Sequence, residues 1–312
     1  MLHPAISRGR RRERPRAQDG TMVTPNGVIL RGSNISIGLR AQPTPPITQL
    51  SAHLSFRQTG ANYVRSAVLL SQASMTLEDQ LPRLDAAVDA AGRAGNILMI
   101  NNSLSPGSYS VTELQQFWTA VAPRYKHHKH LIYEMPNEPV KGAPWGSATS
   151  WNDSVLNDLL GVYTIMRTAA PDTPIVVFNS ANIAPNAKAW AARPIARWET
   201  LGNPLNPDRD IVGYHYYAGT LDCSVSGPAA ATDGGVAALS YIKGLGHTMM
   251  LTETNKWHDD ILNYPPSDQA HMANALRYHE DLGLSWMYID TATDWSRLVS
   301  NINELHSQGY DW

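Results

Sequence analysis

Pro174-Ile175-Val176-Val177-Phe178-Asn179 is a six-residue run whose four central side chains are all apolar. Successive side chains of a strand point to opposite faces, so a strand without polar alternation is buried on both. That arises when helices cover one side of a parallel sheet and interior side chains fill the other. Outward from this run, the chain from residue 28 onward alternates short β-branched or apolar runs with longer amphipathic stretches, the pattern of repeated βα units. Strand segments fall at 28–34, 62–69, 96–101, 130–135, 174–179, 210–216, 248–252 and 284–289. Helical periodicity occupies 44–57, 76–94, 111–122, 151–168, 187–201, 233–245, 267–281 and 294–306.

Eight units, with no Gly-rich phosphate loop after the first strand, favour a closed barrel over a doubly wound open sheet. The expected fold is therefore α/β, a (β/α)8 TIM barrel in a single domain. Local signals agree with the helix limits. Thr76-Leu-Glu-Asp and Thr112-Glu-Leu-Gln read as N-terminal caps, as does Ser267 after Pro266, because a short polar side chain accepts the orphaned N–H groups of a first turn. Gly95 and Gly283 stand where helices should stop before the third and eighth strands.

The 312 residues are 43% hydrophobic, with 22 glycines and 21 prolines dispersed, which excludes disorder for the bulk of the chain. No linker divides it, and the barrel is expected over 23–312. Residues 1–22 differ. Their six arginines face only Glu13 and Asp19, so this arm carries +4 of a total of −2 and leaves −6 on the remainder. An Arg-rich arm can bind nucleic acid or an anionic membrane surface, or be a disordered basic leader. Lacking aromatic residues and any basic continuation, it reads as the leader, with no nucleic-acid and no membrane partner expected. No apolar run of secretory-signal or membrane-spanning length is visible. Cys223, the single cysteine, permits neither an intramolecular disulfide nor a cysteine-based metal cage.

In a barrel the chemistry sits at the C-terminal ends of the strands. Those ends are polar here: Arg65 on the second, Asn137-Glu138-Pro139 after the fourth, His215-Tyr216-Tyr217 on the sixth, Glu253 on the seventh and Trp286 on the eighth. Two carboxylates from different strands of one face are what glycosidic-bond cleavage requires, one to protonate the leaving oxygen and one to support the oxocarbenium-like centre. Glu138 and Glu253 meet that requirement, and a carboxylate beside Arg65 stays ionised while one in an aromatic cleft favours its neutral form. Taken singly, Arg65, Glu253 and Trp286 also admit structural readings. Their shared end of different strands favours a site.

The run Leu131-Ile132-Tyr133-Glu134-Met135-Pro136-Asn137-Glu138-Pro139 resembles the fourth-strand signature of the clan A glycoside hydrolases, specifically glycoside hydrolase family 5, the cellulase and mannanase family. Val28-Ile29-Leu30-Arg31-Gly32-Ser33-Asn34 is similar to the family's opening strand, Asn62-Tyr63-Val64-Arg65 to its second, and Val212-Gly213-Tyr214-His215-Tyr216-Tyr217 to its sixth. Leu251-Thr252-Glu253 resembles the nucleophile segment and Leu284-Ser285-Trp286 the eighth-strand tryptophan. The resemblance implies Glu138 as general acid/base and Glu253 as nucleophile. It also implies that Asn137 bonds the sugar 2-hydroxyl, that Arg65 and Tyr217 hold Glu253, that His215 lies beside the acid/base, and that Trp286 floors the cleaved sugar. One departure stands out. The family usually ends its third strand with a histidine, whereas this chain has Met99-Ile100-Asn101-Asn102-Ser103; Asn101 can hydrogen-bond a hydroxyl but cannot titrate near neutral pH.

The expected activity is retaining endo-hydrolysis of a β-1,4-linked polysaccharide, β-glucan or cellulose first and mannan second, with carboxyl groups about 5 to 5.5 Å apart. Two alternatives stay open: a carbohydrate-binding barrel of weak turnover, and a transglycosylase using the same site. No cofactor and no metal are expected, and the partner is a polysaccharide or oligosaccharide. An extracellular location is expected from the substrate class. Trp145 and Trp257, in loops after the fourth and seventh strands, are candidate sugar platforms, whereas Trp118, Trp151, Trp190, Trp198 and Trp295 read as packing. His127-His128-Lys129-His130 precedes the fourth strand, on the stable face of a barrel, and reads as a solvated loop.

Overall fold

The structure is a computed structural model and describes residues 13–34, 47–68, 76–102, 109–140, 151–180, 187–215, 243–254, 276–289 and 295–312. A hairpin of β1 (Arg16–Gln18) and β2 (Thr21–Val23) comes first. The eight barrel strands follow: β3 (Arg31–Asn34), β4 (Tyr63–Val68), β5 (Ile97–Asn102), β6 (Leu131–Glu134), β7 (Ile175–Ser180), β8 (Asp210–His215), β9 (Thr248–Glu253) and β10 (Trp286–Tyr288). Each of β3 to β8 pairs in parallel with the next, and β10 returns to pair with β3. The remaining seam joins β9 to β10 through a parallel bridge between Met250 and Ser285, with Leu251 N–H donating to Ser285 O at 3.0 Å and Ile289 N–H to Thr254 O at 2.7 Å. These contacts bring β9 and β10 together and complete the ring of eight strands, while β1 lies outside it, paired with β2.

Helices α1 (Leu50–Arg57), α2 (Leu77–Ala94), α3 (Val111–Tyr125), α4 (Asp153–Ala169) and α5 (Ala187–Thr200) follow the first five barrel strands, and α6 (Ser296–Ser307) follows the last. Helical turns at 243–244 and 276–281 precede β9 and β10. The caps explain the limits. Thr76 accepts from Asp79 N–H at 3.2 Å while the Asp79 carboxylate accepts from Thr76 N–H at 3.1 Å, a reciprocal capping box. Gly95, at φ 81°, ends α2 in the left-handed conformation that a side chain resists. For α3 the cap is Ser110, which accepts from Glu113 N–H at 3.3 Å, rather than Thr112. Ser110-Val-Thr-Glu113 is itself a Ser-x-x-Glu signature, starting two residues earlier.

Two apolar layers hold the barrel. Outward-facing strand residues such as Val64, Leu98, Ile100, Tyr133, Val177 and Leu251 pack under the helices, where Phe117, Trp118, Leu159 and Trp198 are fully buried. Inside, Leu30, Tyr63, Ile97, Met99, Ile132, Val176, Ile211, Met250 and Met287 fill the interior. Removing such side chains from water contributes about 1.5–3 kcal/mol each. Gly32 allows the first two barrel strands to meet: a Cβ there would lie 2.2 Å from Tyr63 O. Trp118, Trp151, Trp198 and Trp295 are buried in the core; the Trp190 side chain lies outside the described residues.

The arm departs from its expected description as a disordered leader through residue 22. Residues 13–22 are part of the fold, and Met22 is fully buried against the interior cluster. Thr21 Oγ1 accepts from Ser285 N–H at 2.8 Å, and Arg14 donates to His128 O at 3.0 Å. The physical reason is that a barrel interior must be covered at its N-terminal end, and the apolar Met22 side chain contributes to that cover. Residues 1–12 lie outside the described residues. Among the described residues no helix is long and apolar enough to cross a membrane.

Candidate active site

The inward positions of each strand change character along its length. Tyr63 is followed two residues later by Arg65, Met99 by Asn101, Ile132 by Glu134, and Ile211, after Gly213, by His215. With a side-chain period of two, these polar residues top the apolar interior at the C-terminal ends of the strands. All four are buried.

Arg65 organises the mouth. Its Nε donates to Glu134 Oε2 at 2.6 Å, Nη1 to Glu253 Oε2 at 2.9 Å and Nη2 to Asn137 Oδ1 at 2.7 Å. Burial by itself would lower the Arg65 pKa, but the Glu134 and Glu253 carboxylates overcome that and raise it, so the guanidinium is permanently charged. Glu253 ends β9, where the β8–β9 register shifts between Tyr214 and His215, and its side chain is 15% exposed, enough to meet a ligand. One guanidinium facing two carboxylates leaves an excess of negative charge, suited to a cationic transition state.

Glu138 lies beyond the end of β6, in Met135-Pro136-Asn137-Glu138-Pro139. Pro136 has no N–H for the ladder, and the backbone turns so that Glu138 adopts φ 44°. A non-glycine residue there costs of order 1–3 kcal/mol, a strain that surrounding structure must hold. Glu138 Oε1 lies 2.6 Å from His215 Nδ1, and His215 Nε2 lies 3.7 Å from Glu253 Oε2. A carboxylate oxygen of Glu138, one of Glu253 and a ring nitrogen of His215 all lie within 4.8 Å of one another. Burial raises the Glu138 pKa to about 7, opposed by Arg65. Burial lowers the His215 pKa to about 4; Glu253 raises it, Arg65 lowers it and Glu134 raises it. A neutral imidazole accepts at Nδ1 from a protonated Glu138 or, as the other tautomer, donates to an ionised one, so one partner serves both states.

The structure brings Arg65, Asn101, Asn137, Glu138, His215 and Glu253 together. Asn101 is directed at a protein carboxylate: its amide donates to Glu134 Oε2 at 2.6 Å, and the residue is fully buried. Trp286 requires a correction. It has an outward register position, is fully buried among the core residues under the helices, and its indole N–H donates to Glu280 Oε1 at 2.6 Å. The interior neighbour on that strand is Met287, so Trp286 is a packing residue and not the floor of the mouth. Tyr217, Trp145 and Trp257 lie outside the described residues, as does Cys223. Glu134 was missing from the expected site. Its signal was present: an acid in the apolar run Leu131-Ile132-Tyr133-Glu134-Met135, in phase with inward-facing Ile132. His127 and His128 are exposed, and the only group of metal-ligating residue types brought together among the described residues is Glu138, His215 and Glu253.

A family model described as cellulase (glycosyl hydrolase family 5) matches residues 24–294. Endoglucanase A of Butyrivibrio fibrisolvens is 28% identical over 178 residues, 53% of this chain; the match spans only 37% of that longer relative. Among solved structures, the catalytic domain of Thermobifida fusca endoglucanase Cel5A in complex with cellotetraose superposes with a TM-score of 0.65 at 16% identity, covering 91% of this chain and 87% of that one. The mannotriose complex of Thermomonospora fusca β-mannanase gives 0.61 at 15% identity, over 88% and 83%. These likenesses are to the barrel as a whole. With the family match spanning most of the chain and all eight barrel strands, the chain belongs to glycosyl hydrolase family 5, the cellulase family.

Proposed function

We propose that the chain is a retaining endo-β-glycosidase acting on β-1,4-linked polysaccharide, glucan first and mannan second, by double displacement at Glu253 and Glu138. The observation that carries the reading is the approach of Glu138 and Glu253 carboxylate oxygens to within 4.8 Å. Inverting enzymes hold their carboxyl groups roughly 6.5–9.5 Å apart to admit a water, whereas retaining ones bring them to about 5–5.5 Å. The substrate order rests on the relatives, whose names pair this barrel with endoglucanase activity, cellotetraose and mannotriose.

In this mechanism Glu253, oriented by Arg65, attacks the anomeric carbon while the Glu138 carboxyl group gives its proton to the departing oxygen. The glycosyl ester on Glu253 is then cleaved by a water whose proton passes to the ionised Glu138, restoring both groups. Asn137, its oxygen fixed by Arg65, retains its amide N–H groups to donate toward a sugar hydroxyl.

Two measurements test this reading. Cleavage of a cello-oligosaccharide followed by proton NMR should show the β anomer of the new reducing end first, with the α anomer growing only by mutarotation; the α anomer first contradicts retention. The pH profile should also carry the Glu138 proton. Because burial raises that group to about 7, the acid form prevails below and is lost above, so kcat/KM should fall as pH rises through about 7. A rate that stays level to pH 9 would contradict Glu138 as the acid.

A further inference from the structure

We propose that Glu134 is a positioning residue for the nucleophile, acting through Arg65, with Asn101 holding Glu134 in place. The proposal rests on the retaining reading above and deepens it. A guanidinium is a rigid planar fork, so fixing one edge dictates where the other donors point. Glu134 fixes the Nε edge of Arg65 at 2.6 Å, and the remaining donors then fall on Glu253 at 2.9 Å and Asn137 at 2.7 Å. Both groups that the mechanism uses at the nucleophile side are therefore aimed by a contact that neither makes. Asn101 donates to the same Glu134 oxygen at 2.6 Å, and Glu134 is fully buried, so neither has solvent to replace its partner.

A structural role alone is a poor account of this arrangement. A buried ion pair contributes little net stability relative to apolar packing, and this one tops an interior already filled by Tyr63, Met99 and Ile132. Glu134 also divides the charge of Arg65. With Glu134 neutral, the guanidinium would turn toward Glu253 as its sole anionic partner, drawing those oxygens away from the sugar. Its undivided charge would also favour ionised Glu138.

Glu134→Gln keeps length and removes the charge. On an aryl β-cellobioside with an activated leaving group, where attack by Glu253 limits the rate, kcat should fall roughly 100-fold with little change in KM. The alkaline limb of kcat/KM should move to lower pH. Glu134→Asp, which restores the charge, should return the limb toward its original position. Wild-type kcat and an unmoved limb in Glu134→Gln would overturn the proposal while leaving the retaining reading intact. A second measurement is independent of turnover: in 15N-arginine-labelled protein, the Arg65 Nε–H resonance, assigned with Arg65→Lys, should lose its exchange protection in Glu134→Gln. An unchanged resonance would overturn the proposal even if the wild-type chain hydrolysed nothing, an outcome that would instead sink the retaining reading. Should Glu134→Gln fail to fold, Asn101→Ala removes the amide that donates to Glu134, together with its long contact to Met135 O, and is expected to lower kcat roughly tenfold. Wild-type kcat and Arg65 exchange in that variant would equally overturn it.

Discussion

Replacing Glu253 with alanine is expected to lower turnover of an activated aryl β-cellobioside by on the order of 10⁴-fold or more, because the covalent step loses the side chain that attacks. The variant should still fold. Glu253 is a partly exposed residue at the end of β9, and Arg65 keeps its ion pair with Glu134, so no buried charge is left uncompensated. Azide offers a sharper reading. Occupying the space left by the side chain, it would attack the anomeric carbon from the same side and release an α-glycosyl azide, a single inversion. Near-normal activity in Glu253→Ala, or a β-glycosyl azide from it, would remove Glu253 from the nucleophile's place.

Glu138→Ala should divide substrates by leaving group. A sugar alkoxide needs a proton to depart, so cello-oligosaccharide cleavage should fall by roughly 10²–10⁴-fold. A dinitrophenolate departs unaided, so formation of the glycosyl-enzyme from an activated aryl glycoside should be little affected. Its hydrolysis would then be slow for want of a base, and azide should accelerate it, giving the β-glycosyl azide by two inversions. Equal loss on both substrate types would contradict Glu138 as the proton donor. His215 pairs with Glu138 at 2.6 Å and loses that partner in the variant, so a thermal unfolding curve belongs beside the kinetics.

The fold was legible because its physics is local. Strand runs such as Ile175-Val176-Val177-Phe178 are apolar on both faces, and caps such as Thr76 and Gly95 stop and start helices within a residue or two of their observed limits. The mouth was legible where a charged residue stood at a strand end, as with Arg65, Glu138, His215 and Glu253. Trp286 failed because proximity to a strand end does not give the face. The deciding information is the register, and Ser285 and Met287 occupy the inward positions on either side. Glu134 escaped because it stands one residue inside the apolar run, where an acid next to Tyr133 reads as part of a strand until Arg65 and Asn101 are seen to converge on it. The β1–β2 hairpin was hidden by its composition: arginines dominate the arm, while its attachment depends on Thr21 and Met22 meeting residues more than two hundred positions away.

The most direct test is to trap the intermediate. A 2-deoxy-2-fluoro-β-cellobioside with an activated leaving group should inactivate the chain by slowing hydrolysis of the glycosyl ester, and peptide mass mapping should find one fluorocellobiosyl group on Glu253. A label on any other side chain, or turnover without any covalent adduct and with the α anomer as first product, would contradict the account.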